Sequence, residues 1–140
     1  KPQRPRMPTP RRHLEVFPVE PGDIDELGHV NNLVYLRWVQ EVAKAHWRAA
    51  ARPEDQAGIV WVVVRHEIDY LKPAHAGEEI VACTWVERWG GATSERHTEL
   101  RRRSDDEVLA RARTKWCALD PATGRPMRIT VEMTPPFLVE

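Results

Sequence analysis

The chain has 140 residues, with 21 basic and 21 acidic side chains and hence no formal net charge. That length suits one domain with a sizeable core, and the balance of charge excludes a global field that would draw the chain onto nucleic acid or a membrane surface. No apolar run approaches the roughly 18 residues of a spanning helix, so a transmembrane segment is not expected.

Residues 1–12 carry four prolines and five lysines or arginines, which predicts a disordered basic leader. It lacks the apolar stretch of a secretory signal, and the cytoplasm is the expected compartment. His13 to Glu20 reads as a first strand, with Pro18 suited to an edge or a bulge. "PGD" then ends it as a turn. From Asn32 the period becomes helical, with Asn31 or Asn32 as the N-cap. Arg37, Gln40, Glu41, Lys44 and Arg48 form one narrow polar stripe, and His46 lies opposite it. Such a helix is apolar over more than half its circumference and should be enclosed on several sides.

"ARPEDQAG" (51–58) is expected to be a loop. Four strand patterns follow, in "IVWVVVRHEIDYLKP", "EEIVACTWVERW", "TSERHTELRRR" and "EVLARARTKWCALD". In the last, Val108, Ala110, Ala112, Thr114, Trp116 and Ala118 alternate with charged residues, which sets one face toward a core. The C-terminal "MRITVEMTPPFLVE" has no assignable type. Cys83 and Cys117 lie in strand-like runs without metal-ligand spacing and read as buried thiols of a reduced compartment. The order of one strand, one long helix and four antiparallel strands is an α+β arrangement, a sheet curled around a helix. One small sheet cannot enclose that helix, and six tryptophans are many for this length. Self-association is the expected remedy.

Residues 23–35, "DIDELGHVNNLVY", carry the pattern D-x-D-x-x-G-H-V-N-N-x-x-Y. It resembles that of the 4-hydroxybenzoyl-CoA thioesterase-like acyl-CoA thioesterases, and the resemblance runs over about residues 13–130. It implies the hotdog fold, in which a curved antiparallel sheet wraps one long helix, within a single domain over 13–140. It also implies hydrolysis of an acyl or aroyl thioester of CoA or acyl-carrier protein by a homodimer or dimer of dimers. The active sites would lie at a subunit boundary.

A thioester carbonyl needs a nucleophile or activated water, and donors for the oxyanion that forms. Asp25 stands just before a helix whose first N–H groups are unpaired and whose dipole favours negative charge, so it is the expected base or nucleophile. Asp23 is expected to shape the turn. By position in the motif the oxyanion donor is the backbone N–H of Asn32, while the Asn31 side chain caps the helix and borders the substrate. His29 has a supporting part. Similar acyl-carrier-protein thioesterases pair this histidine with an asparagine two positions earlier, where this chain has Leu27. Tyr35, Trp38 and Trp61 are candidate pocket walls, and Arg65, Thr93 and Ser94 further substrate contacts. Where some relatives place basic residues, this chain has Gly90 and Gly91, so the carrier's phosphates fall to Arg88, Arg96 or Lys72. Glu41 is read as a solvated or rim residue and His46 as a core histidine. No metal or cofactor is expected. Competing readings are a non-catalytic acyl-CoA-binding protein and a hotdog dehydratase or hydratase.

Overall fold

The computed structural model describes residues 9–139. Its elements are β1 (Thr9–Pro10), β2 (His13–Pro18), α1 (Asn32–Ala50), α2 (Pro53–Gly58), β3 (Val60–Tyr70), β4 (Glu79–Gly90), β5 (Thr93–Arg102), β6 (Val108–Leu119) and β7 (Leu138–Val139). Five strands form one antiparallel sheet in the order β2-β4-β5-β6-β3, and β1 pairs with β7 in a second, two-stranded sheet.

The alternation in the strands decides which face holds the helix. Ala82 and Thr84 of β4, Thr98 and Leu100 of β5, and Ala110, Ala112 and Thr114 of β6 are all buried on the inner face. Registers Thr84↔Thr98 and Thr98↔Ala112 set these small residues side by side across the sheet. Their low profile lets α1 approach closely and fill the space with its largest side chains, Tyr35 and Trp38. Each such buried side chain contributes about 1.5–3 kcal/mol. Val34, Val39, Val42, Ala43 and His46 complete the buried stripe, at spacings of three and four. The opposite side of α1 is open, and Leu33 is 71% exposed. Thus the helix is enclosed on one side within this chain.

A bulge between Val63 and Arg65 resets the alternation of β3. Before it Trp61 and Val63 point inward; after it His66 and Ile68 do. His66 therefore reaches Thr114 Oγ1 through Nδ1 at 2.8 Å and Gln40 through Nε2 at 3.2 Å, while Arg65 is left exposed.

Three segments depart from the sequence expectations. Within the supposed leader, residues 9 and 10 form β1, and Arg11 N–H donates to Phe137 O at 2.8 Å. Residues 1–8 of that leader lie outside the described residues. The 51–58 segment contains α2, started by Pro53 at its first turn and by the Arg52–Asp55 ion pair. The C-terminal stretch forms two short 3-10 turns, Val131–Met133 and Pro135–Phe137, and then β7. Phe137 anchors it, fully buried and stacked on Trp47 at 5.6 Å.

Candidate active site

The segment from Ile24 to Val30 is a small closed loop, joined at its ends by a bridge between those two residues. Gly28 stands near its tip at φ +80°, a conformation that side chains with a Cβ rarely adopt. The Asp25 carboxylate organises the loop from within. Its Oδ1 accepts from Leu27 N–H at 2.9 Å and His29 N–H at 3.2 Å, and Asp25 N–H donates to His29 O at 2.7 Å. Oδ2 takes no hydrogen bond among the described residues. Half-buried, Asp25 keeps one oxygen for whatever enters the adjoining cleft.

Asp23 is used differently. It is 5% exposed, its Oδ2 accepts from Glu20 N–H, and its Oδ1 accepts from Arg37 Nη2, each at 2.9 Å. Its carbonyl accepts from Asn31 N–H. Asp23 thus ties the loop to the first turns of α1.

Asn31 is the N-cap of α1, with Oδ1 accepting from Leu33 N–H at 2.9 Å. The next donor, Asn32 N–H, makes no hydrogen bond among the described residues. It stands at the positive end of a 19-residue helix. Asp25, His29, Asn31, Asn32, Tyr35 and Lys72 share the lining of one cleft of about 380 Å³. Its far wall is fixed by Tyr35, whose hydroxyl donates to Lys72 O at 3.1 Å and accepts from Ala74 N–H at 2.7 Å. Burial raises the pKa of that phenol.

The sequence pattern gave no sign of Tyr70 and His75 at this site. Tyr70 also lines the cleft and donates to Asn32 O at 3.3 Å. The His75 ring meets the exposed His29 ring edge-on at 5.2 Å. Both residues come from the far end of β3 and the turn after it, and only the antiparallel return of the sheet brings them here.

Other expected site residues lie elsewhere. Trp38 is 2% exposed and packs between Phe17 and Tyr35, so it is a core residue and no wall of this cleft. Trp61, Ser94 and Arg96 border a second cavity toward the other end of α1. Arg96 is buried there against His46 and Thr84, out of reach of a phosphate in the Asp25 cleft. Arg88 is exposed on β4 beside Glu95, and Arg65 pairs with Glu67. Thr93 Oγ1 donates to Gly90 O within the β4–β5 turn. Of the three proposed phosphate partners, Lys72 alone lines the Asp25 cleft. Glu41 is exposed on the open side of α1. His46 is buried, with Nδ1 2.9 Å from Arg96 Nη1; burial and that guanidinium lower its pKa to about 3. Among the described residues, no three His, Cys, Asp or Glu side chains are grouped to hold a metal ion.

Solved structures share this architecture. Protein PA5185 of Pseudomonas aeruginosa is 22% identical, with a TM-score of 0.80 over 89% of this chain and 88% of its own. The 1,4-dihydroxy-2-naphthoyl-CoA thioesterase of Synechocystis is 16% identical, with a TM-score of 0.75 over 86% and 90%. The DHNA-CoA thioesterase of Staphylococcus aureus is 18% identical, also at 0.75, over 84% and 80%. At these identities the likeness establishes the fold, which is the hotdog fold. A search of curated proteins finds no match. The family profile described as the thioesterase-like superfamily matches residues 19–137, which span the Asp25 loop, α1 and the whole meander, and the chain belongs to that superfamily.

Proposed function

We propose that the protein hydrolyses an acyl or aroyl thioester carried by CoA or acyl-carrier protein, with Asp25 as base or nucleophile. One observation carries this reading: the free oxygen of Asp25 and the unpaired N–H of Asn32 belong to residues lining the same cleft, at the positive end of α1. Asp25 either attacks the thioester carbonyl or removes a proton from a water that attacks it. As the C–O bond forms, negative charge gathers on the carbonyl oxygen, where the Asn32 N–H and the helix dipole meet it. Collapse of that intermediate breaks the C–S bond and expels the thiolate, which takes back the proton held by Asp25 in the water route and takes one from solvent in the covalent route. In the covalent variant, water then cleaves the acyl–Asp25 anhydride. Asp23 and Arg37 hold the loop in register, and Lys72 offers a cation to an anionic carrier.

The active unit in this proposal is a homodimer, or a dimer of such dimers. β3 ends the sheet: it pairs with β6 on one side, its other edge has no partner strand among the described residues, and it carries a row of exposed valines. Antiparallel pairing with a second copy would set the Trp61 end of one β3 beside the Tyr70 end of the other, near where the Asp25 cleft opens. No described helix is long and apolar enough to cross a membrane, and neither membrane nor nucleic acid enters the proposal.

The test is a panel of CoA and acyl-carrier thioesters assayed with the parent and with Asp25→Asn. Loss of an essential catalytic group should lower kcat by about a hundredfold or more, with secondary structure retained. Near-parental turnover by Asp25→Asn would sink the assignment. Tight binding without hydrolysis across the panel would make the protein a binding module instead.

A further inference from the structure

The second cavity has a volume of about 230 Å³. It sits beside Trp47, about 22 Å along the axis of α1 from Asn32. Four of the six tryptophans of the chain form its walls: Trp47, Trp61, Trp89 and Trp116. Trp47 and Trp61 meet edge to face at 5.4 Å, and Trp61 and Trp89 lie 6.4 Å apart at 57°. Rigid flat surfaces at fixed angles complement a ring better than a flexible chain, because ring–ring contacts add to simple area burial.

The polar groups are one-sided. Arg96, 6% exposed, lines the cavity. Its Nη1 donates to His46 Nδ1 at 2.9 Å and to Thr84 Oγ1 at 3.2 Å, both on uncharged groups. It makes no ion pair with a carboxylate among the described residues. Lys44 and Arg48 line the cavity from the exposed side of α1, and no Asp or Glu is among the lining residues. The indole N–H groups of Trp61, Trp89 and Trp116 are buried without an acceptor. A guanidinium removed from water without a counter-charge is costly, and so is each donor left unmade. The cavity is therefore short of an acceptor and of one negative charge. An aromatic cage for a cation is ruled out by the same three positive side chains.

We propose that this cavity is a binding site for a small aromatic carboxylate, with its ring between the tryptophans and its carboxylate toward Arg96. Such a ligand supplies together what the walls and the buried cation lack. The site lies apart from the Asp25 cleft of its own chain, and its occupancy is an equilibrium property that does not depend on hydrolysis.

Titration of the full chain with 2-naphthoate, read by tryptophan fluorescence and calorimetry, tests this directly. Saturable binding is expected, with 2-naphthalenemethanol weaker by about tenfold or more, the size of one charge-assisted contact, and octanoate, which keeps the charge but lacks the ring, weaker by a similar factor through the lost ring–ring contacts. Arg96→Met should weaken naphthoate by a similar factor and leave the neutral alcohol unchanged. Should that variant not fold, Trp89→Leu, which keeps the cation, must lower the preference for naphthoate over octanoate. Asp25→Asn should bind naphthoate like the parent, which separates this site from the catalytic reading. Absence of saturable binding, equal affinity for octanoate, or indifference of naphthoate to both cavity variants would overturn the proposal.

Discussion

Asp23 and Asp25 are two positions apart in the sequence, and the fold gives them opposite surroundings. Both oxygens of Asp23 are spent, on Glu20 N–H and Arg37, whereas Asp25 keeps one oxygen for the cleft. Asp23→Ala is therefore expected to cost about 1–3 kcal/mol of stability, the penalty for stranding buried partners, in urea melts. Its kcat should fall far less than that of Asp25→Asn. The spacing D-x-D drew attention to both aspartates, but only the side-chain partners separate their tasks. His46 carries a second prediction. It is buried under the His13 ring and beside the Arg96 guanidinium, with Arg11 also nearby, and its pKa is lowered from 6.5 to about 3. The unfolded chain thus takes up a proton between those values that the folded chain refuses. Stability attributable to His46 is complete above pH 6.5 and declines as pH falls toward 3. Between pH 7 and pH 5 the loss should be about 2 kcal/mol. His46→Asn, which offers Arg96 an acceptor but does not titrate, should show a shallower pH slope in the same melts; equal slopes would refute the assignment.

At the scale of elements, α1 and β6 were legible because their burial repeats locally. Ala110, Ala112, Thr114 and Trp116 face inward at every second position, as the alternation of β6 requires. Arg96 was not legible. Residues 94–99 of β5 read "SERHTE", polar on both faces, so alternation cannot say which set enters the core. Only the register Thr98↔Thr84 decides it. Trp38 was misread for a related reason: the helical period places it on the apolar face but cannot tell core from cleft. β1 and β7 left no pattern, because a two-residue pairing held by Phe137 against Trp47 depends on contacts distant in sequence. Tyr35 shows how one element fixes another. Its hydroxyl bonds Lys72 O and Ala74 N–H, and so holds the turn after β3 against the start of α1. Tyr35→Phe should cost about 1–3 kcal/mol, since the buried Ala74 N–H loses its acceptor. In the same variant KM should rise more than kcat falls, because the cleft wall loosens while Asp25 and Asn32 stay in place. Parental melts and kinetics would show that the turn holds without this hydroxyl.

At the scale of the whole molecule, one edge of the sheet is uncovered among the described residues. β3 is 11 residues long and ends the sheet, so one row of its backbone groups faces no partner strand among the described residues. On it Val60, Val62 and Val64 are 46%, 38% and 57% exposed, and Leu33 projects from the open side of α1. An extended apolar edge of this kind is a template for another strand, and a monomeric protein would ordinarily blunt it with charge or proline. β3 has neither before Arg65. Pairing with a second β3 about a two-fold axis satisfies both sets of backbone groups and covers apolar surface on each chain. Two-fold symmetry also places any charge added near the axis close to its own copy. Val62→Asp with Val64→Asp should therefore weaken self-association by about tenfold or more through like-charge repulsion, while leaving each chain folded. Sedimentation equilibrium at micromolar concentration should give a dimer or tetramer for the parent and a shift toward monomer for the double variant. A parent that sediments as a folded monomer would remove β3 pairing from the proposal, and the Asp25 cleft would then have to act within one chain.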